Sequence, residues 1–219
     1  MPVEKLHQVV VYGLGAMGRP MARNLHQQNL LVGVKNRTQG KAQAMEKELG
    51  ITPFEDDAAL FAAADCVLTC VSADQDLKDV IANIIPLLKP GSVVIDCSTV
   101  SPQTAQSVSD DLAANGIAFL DAPVSGGVEG AKKGSLSIMV GGERSQYKRA
   151  EDIFSAIGSQ ITHMGKVGKG QATKAVNQIM VAGVAQAVCS SLAMAEQCKL
   201  DAKKVVEVLS AGAAGNWFL

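Results

Sequence analysis

The sequence predicts an α/β fold: a doubly wound, mostly parallel sheet over residues 1–165, then a long interdomain helix and the start of an all-α domain over 166–219. Three observations predict it. Short apolar runs alternate with helical stretches through the first ~160 residues, the order of parallel strand–helix–strand units. A glycine-rich turn joins the first run to the first helix, in "VVVYGLGAMGRPMARNL". Residues 170–197 form one apolar stretch with no proline.

The strands are expected at 7–12, 30–35, 66–71, 92–96 and 117–121, with a further one near 135–141. The first, His7 to Tyr12, is valine-rich, as a strand buried on both faces requires. Helices are expected near 16–28, 39–49, 74–87 and 102–115. In the first, Met17, Met21, Ala22 and Leu25 recur at helical spacing, and Pro20 lies near the first turn, where few N–H groups have intrahelical partners. "KPGS" turns the chain into the fourth strand. Ser101 and Pro102 in "TVSPQT" are expected as N-cap and first helical residue, and "NG" at 115–116 ends that helix. The 170–197 helix, about 40 Å long at 1.5 Å per residue, is apolar nearly all round and is expected to be buried on several sides. A membrane span is the alternative, opposed by interrupting glutamines and serines and by the absence of a basic flank that would orient it. "DAKKVVEVLS" follows as a short amphipathic helix capped by Asp201. Trp217, Phe218 and Leu219 are too apolar for a free tail, so the chain is expected to be a fragment of a longer protein with further helices.

With 219 residues, 47% of them hydrophobic and 19% charged, the chain can build one large domain plus part of another. A net charge of −1 supplies no basic field for nucleic acid or anionic lipid. "MPVEKLHQ" has no apolar signal region, so a cytoplasmic location is expected, without membrane or nucleic-acid partners. Cys66, Cys70, Cys97, Cys189 and Cys198 form no C-x-x-C pair, and are expected as reduced, buried thiols. The three histidines are scattered, so no metal site is expected.

Gly13, Gly15 and Gly18 give G-x-G-x-x-G between a strand and a helix, the context in which that pattern binds a dinucleotide. Gly13 permits the tight turn, Gly15 lets the backbone approach a pyrophosphate, and Gly18 lets the helix pack close to the strand. The helix N-terminus then faces the phosphates. The residues of this turn, Gly13, Leu14, Gly15, Ala16, Met17 and Gly18, are the first cofactor-binding candidates. At the end of the second strand an NAD-specific site usually carries Asp or Glu. Here Asn36 stands between Lys35 and Arg37, with Thr38 following, and no carboxylate in that turn repels a 2′-phosphate. NADP(H) is therefore the expected cofactor, although Asn36 can also serve NAD(H). Ser125, Gly126 and Gly127 end another strand, where a hydroxyl and unobstructed backbone N–H groups suit a carboxylate. A plain hairpin turn is the competing reading of that stretch. Lys132 and Lys133 are read as solvated loop charges. Lys174 lies inside the long helix with Asn177 and Gln178 at i+3 and i+4 on one face. An ammonium on an apolar buried helix needs a partner or a task, and such a lysine can have a lowered pKa and act as acid or base near neutral pH. A lysine snorkelling from the helix start is the structural alternative.

Together, "GLGAMGRPMARNL", "DCSTVSP", "DAPVSGGVEGAKKGSLSIMVGG", "GKGQATKAVNQ" and "GAAGNWF" resemble the β-hydroxyacid dehydrogenase family, in the family's order over most of residues 7–199. The resemblance implies a Rossmann-type N-terminal domain and a C-terminal helical domain joined by the long helix. It implies that Lys174 donates and accepts the proton at the substrate oxygen, and that Ser125, Gly126, Gly127 and Asn177 contact a small carboxylate-bearing substrate. Gln178 stands where many members carry a second Asn. Val71, Ser72 and Thr99 match positions lining the nicotinamide side of the cofactor, and Asp76 is counted with the cofactor-binding residues. The family's second, cofactor-facing lysine lies beyond residue 219. The implied reaction interconverts a small 3-hydroxy acid and its semialdehyde. A dinucleotide-binding module without turnover, and oxidative decarboxylation of a phosphorylated sugar acid, are the alternatives. The apolar circumference of the long helix implies a homodimer or tetramer.

Overall fold

The computed structural model describes residues 4–219. In chain order its first elements are β1 (Val9–Tyr12), α1 (Gly18–Gln27), β2 (Leu31–Lys35), α2 (Gln39–Leu49), α3 (Asp57–Ala63), β3 (Cys66–Thr69), α4 (Asp74–Ile84), β4 (Val93–Asp96), α5 (Pro102–Ala113) and β5 (Ala118–Asp121). There follow β6 (Val124–Ser125), α6 (Gly127–Lys133), β7 (Leu136–Gly141), α7 (Arg144–Arg149), α8 (Glu151–Ile157), β8 (Gly158–Gly165), α9 (Lys169–Gln197) and α10 (Ala202–Ala211).

The eight strands form one sheet in the order β2-β1-β3-β4-β5-β7-β6, with β8 also paired to β7. The five strands β2 to β5 in that order are mutually parallel. β7 meets β5 and β6 antiparallel, and β8 parallel. Side chains alternate across the central strands into two cores. Val9, Val11, Cys66, Leu68, Val93 and Ile95 point to one face, against Met21 and Leu25 of α1 and Ile153 and Phe154 of α8. Val10, Val67 and Val94 point to the other, against Phe61 of α3, Leu77 and Ile81 of α4, and Val108 and Leu112 of α5. Strands covered on both faces account for the continuous valine runs. The strand order reverses between β1 and β3, so the sheet opens a crevice at the carboxyl ends of these two strands.

Local chemistry sets the element ends as expected in several places. Ser101 Oγ accepts from the Thr104 N–H at 3.1 Å and caps α5, with Pro102 as its first residue. Asp201 caps α10 by accepting from the Lys203 and Lys204 N–H groups. Three expectations are corrected. The first helix begins at Gly18, because Ala16 and Met17 belong to the turn that the glycines make. The Ser125–Gly127 stretch is a strand-to-helix turn leading into α6, so Lys132 and Lys133 lie on a helix, where Lys132 pairs with Glu129 at 2.7 Å. Only Cys66 and Cys97 are buried. Cys70 is half-buried, Cys189 and Cys198 are exposed, and all five are free thiols.

The chain divides into two compact units, the first ending at Lys174 and the second comprising Ala175–Leu219. In the second, the expectation that the long helix is buried on several sides does not hold within this chain. Val176, Ile179, Met180 and Met194 of α9 are exposed, Ile179 to 75%. Its apolar circumference exceeds what α10 and the closing residues of this unit can cover. By length and composition alone α9 could cross a membrane.

Candidate active site

The glycine turn has the geometry that its spacing implies. Gly13 sits at φ +105°, and a side chain there would run into the Cys70 carbonyl. A side chain on Gly18 would strike the Gly13 carbonyl, so only glycine lets α1 approach β1 this closely. Gly15 is the opposite case: a Cβ there would meet nothing within 4 Å, because the residue faces an open cleft. The cleft, about 280 Å³, lies outside the carboxyl ends of β1 and β3. Gly13, Gly15, Val71 and Ser72 line it, together with Asn36, Arg37, Thr38 and Asp76. No side chain caps the N-terminus of α1. A phosphate-sized group therefore fits beside Gly15, where backbone N–H groups and the positive end of the helix dipole are available.

The expected cofactor residues divide into those that line this cleft and those that build it. Leu14 is a core side chain, and its N–H is already committed to Asn36 Oδ1 at 2.9 Å. Asn36 Nδ2 donates to the Thr38 carbonyl at 3.1 Å, so this one amide ties the glycine turn to the end of β2. Ala16, Met17, Gly18 and Thr99 do not line the cleft. Lys35 turns away to pair with Asp57. The absence of a carboxylate near residue 36 needs amendment: Asp76 reaches over from α4 and pairs with Arg37 at 3.0 Å. Lys41, in the first turn of α2, also lines the cleft. A cation at the start of the expected 39–49 helix, close in sequence to Arg37, is the signal that could have found it.

Beneath Val71 and Ser72 lies a buried polar cluster. Asp96 Oδ1 accepts from Thr69 Oγ1 at 2.8 Å, from Ser98 Oγ at 2.6 Å and from the Ser98 N–H at 3.2 Å. Its Oδ2 is buried without a partner among the described residues. Burial raises the Asp96 carboxyl to about 6, against these hydrogen bonds, and the nearby Asp121 adds to the rise. Ser98 Oγ in turn accepts from the Val71 N–H at 2.8 Å. Burial, with Asp96 nearby, pushes the Cys70 thiol up to about 12, so the thiol beside the cleft stays protonated at neutral pH.

The second cluster surrounds Lys174. This side chain is 9% exposed, and its Nζ donates to the Val124 carbonyl at 2.8 Å, immediately before Ser125. Burial lowers its pKa. The start of α9 is pinned by Asp121, whose two carboxylate oxygens accept from the Gly168 and Gln171 N–H groups, each at 2.8 Å. Burial raises the Asp121 pKa, while those backbone donors oppose the rise. Gly126 and Gly127 have φ of +127° and +61°, so side chains would strain that turn. Asn177 and Gln178 follow Lys174 on α9, and Asn177 Nδ2 donates to Gln178 Oε1 at 3.2 Å. No group of metal-ligating side chains occurs among the described residues.

Residues 8–165 match the family model for the NAD binding domain of 6-phosphogluconate dehydrogenase, and residues 168–219 match that for the NAD-binding of NADP-dependent 3-hydroxyisobutyrate dehydrogenase. The chain belongs to the β-hydroxyacid dehydrogenase family. Among its relatives, the 3-hydroxyisobutyrate dehydrogenase of Pseudomonas aeruginosa is 35% identical over 216 residues, covering 96% of this chain and 72% of its own. An NAD-dependent L-serine dehydrogenase of the same organism is 31% identical, covering 98% and 72%. The solved structure of Mycobacterium tuberculosis 3-hydroxyisobutyrate dehydrogenase with L-serine superposes with a TM-score of 0.88 at 30% identity, covering 97% of this chain and 72% of that one. This membership makes the chain an oxidoreductase of the 3-hydroxyisobutyrate dehydrogenase type, with a domain that binds a nicotinamide dinucleotide.

Proposed function

We propose that this chain is an NADP(H)-preferring oxidoreductase that interconverts a small 3-hydroxy acid and its semialdehyde, with Lys174 as general acid and base. The observation that carries the reading is the buried Lys174 ammonium, which has no carboxylate partner among the described residues and is held against the carbonyl before Ser125. An ammonium has three donors, so the bond to Val124 leaves Nζ free to meet a substrate oxygen. In this reading residues 1–165 hold the cofactor, and 166–219 carry the lysine and begin the helical domain.

When bound, a nicotinamide would supply hydride transfer at the substrate carbon. In reduction Lys174 gives a proton to the developing alkoxide, and in oxidation it takes the hydroxyl proton. Burial lowers its pKa, which eases loss of its proton relative to a solvated lysine. Ser125 Oγ and the backbone of Gly126 and Gly127 hold the substrate carboxylate. Fixing the carboxylate orients the reacting carbon. With a cofactor bound, Gly13, Gly15 and the start of α1 would hold the pyrophosphate, and Val71 and Ser72 would flank the nicotinamide; Thr99, expected beside them, lies outside the lining of the cleft. Arg37, with Lys41 nearby, favours the 2′-phosphate of NADP(H), since its guanidinium is exposed and its pair with the half-buried Asp76 carboxylate is a surface one that a doubly charged phosphate can outcompete. Decarboxylation of a phosphorylated sugar acid has less support, because a substrate phosphate needs a cluster of basic residues and the 125–133 stretch offers only Lys132 and Lys133.

The exposed apolar face of α9 supports a homodimer or tetramer in which another copy covers Val176, Ile179 and Met180. The function is tested by absorbance assays of NADPH and NADH oxidation against a panel of small semialdehydes, and of the reverse reaction with 3-hydroxy acids. Turnover of at least one carboxylate-bearing pair is expected. Dinucleotide binding without turnover of any pair would leave the binding-module reading in its place.

A further inference from the structure

Gln171 is a glutamine in the first turns of a helix, yet it is only 1% exposed. A buried amide is costly unless both of its ends are used, and here they are. Gln171 Nε2 donates to the Ser98 carbonyl at 2.8 Å. Its Oε1 accepts from the Val100 N–H at 3.2 Å. Its own backbone N–H is the one held by Asp121. One side chain thus grips both sides of Thr99 at the carboxyl end of β4. The same segment reaches the cofactor cleft, because Ser98 Oγ accepts from the Val71 N–H and donates to Asp96. Lys174 lies three residues further along the helix, on the same face as Gln171.

We propose that Gln171 is a positioning residue that locks the helix carrying Lys174 to the Ser98–Val100 turn, and through Ser98 to Val71, so that the proton-transferring amine and the nicotinamide-flanking backbone keep one fixed separation. The proposal rests on the acid–base reading of Lys174. Gln171 touches neither substrate nor cofactor in this arrangement. Its effect is geometric: the Ser98–Val100 turn and the first two turns of α9 otherwise come from parts of the chain about 70 residues apart. A misplacement of about 1 Å between reacting groups costs on the order of 10²-fold in rate.

The test is Gln171→Met, which keeps the length and volume of the side chain and removes both hydrogen bonds. Three quantities are read in the purified enzyme: kcat, the Tm, and the Kd of adenosine 2′,5′-bisphosphate, a probe that carries the adenine half of NADP and no nicotinamide. A kcat lower by about 10- to 100-fold is expected, with the probe's Kd within about twofold of wild type, because Gly15, Arg37 and Lys41 are untouched. In the Lys174→Ala background the same substitution is expected to lower kcat by less than about threefold, since the group it positions is gone. Gln171→Asn, a shorter amide that cannot span both partners, is the second variant and should act in the same direction. Wild-type kcat in folded Gln171→Met or Gln171→Asn, with only a lower Tm, would overturn the proposal. So would a full loss added on top of that in Lys174→Ala. Wild-type kcat in Lys174→Ala alone is a separate result: it defeats the acid–base reading itself and the proposal with it.

Discussion

Replacing Asp96 with asparagine should make the protein more stable at neutral pH than at acid pH, relative to wild type. A carboxyl normally titrates near 4, whereas burial raises Asp96 to about 6. The folded state therefore binds this proton more tightly than the unfolded chain does. The sign follows: the contribution of Asp96 is fully present below pH 4 and is lost as pH rises through 6. A shift of roughly two units at about 1.4 kcal/mol each is a loss of about 3 kcal/mol, of which about 2 kcal/mol falls between pH 4.5 and 8. An asparagine in its place does not titrate. The amide's carbonyl oxygen can stand where Oδ1 stands and keep the Thr69 and Ser98 hydrogen bonds. The amide nitrogen takes the seat of Oδ2, which has no partner among the described residues of the parent either. Urea unfolding of both proteins from pH 4.5 to 8 measures the difference. The stability of Asp96→Asn minus that of wild type should climb by about 2 kcal/mol across this range, or about 4–8 °C in Tm for a chain of this size. Parallel pH–stability curves would refute the reasoning, since they would mean that Asp96 ionises as easily in the folded protein as in the unfolded one.

Three further predictions concern the cofactor and the assembly. Arg37→Ala should weaken NADPH by about 10- to 100-fold, the worth of a charge-assisted phosphate contact, and NADH by much less; calorimetric titration showing equal losses, or tighter NADH than NADPH binding by wild type, would remove the NADP preference. Gly18→Ala drives a methyl into the Gly13 carbonyl, and should cost about 1–3 kcal/mol by overpacking together with most dinucleotide affinity; unchanged melting and titration would show that the turn has room to spare. Ile179, 75% exposed on α9, should lie under a second copy, so light scattering should report a dimer or tetramer, and Ile179→Asp should shift it toward monomer; a wild-type monomer of 22.8 kDa at micromolar concentration would contradict this.

What could be read from the sequence was what is local. The strand, the three glycines and α1 lie within some twenty consecutive residues, so their spacing carries the geometry. The Ser101 and Asp201 caps are likewise decided by residues two or three positions away. The buried hydrogen bonds around the site were not legible, because their partners are far apart in the chain: Asp121 meets Gln171 across 50 residues, and Gln171 meets Ser98 across 73. Asp76 was expected near the cofactor, but its pairing with Arg37 spans 39 residues and amends the electrostatics of the 2′-site. α6 escaped notice because "GGVEGAKK" has three glycines and little periodicity. β8, "GSQITHMG", is an outer strand with few apolar residues, and only its pairing with β7 makes it visible. For α9 the apolar circumference was read correctly and its burial was not, since a sequence shows that a surface needs cover and does not show which chain supplies it.

The central claim is that Lys174 moves the proton, and the most direct measurement is kcat together with NADPH affinity for Lys174→Ala and Lys174→Arg. In the proposed reading the glycine turn and the 36–38 segment hold the dinucleotide, so its Kd should stay near wild type in both variants. Turnover should fall by roughly 10²–10⁴ in Lys174→Ala, the usual worth of a positioned acid–base group. Lys174→Arg should fall as far, because a guanidinium keeps the charge but does not release its proton near neutral pH. Wild-type kcat in Lys174→Arg, or retained activity in Lys174→Ala with a large drop in Tm, would make Lys174 a structural residue and contradict the mechanism.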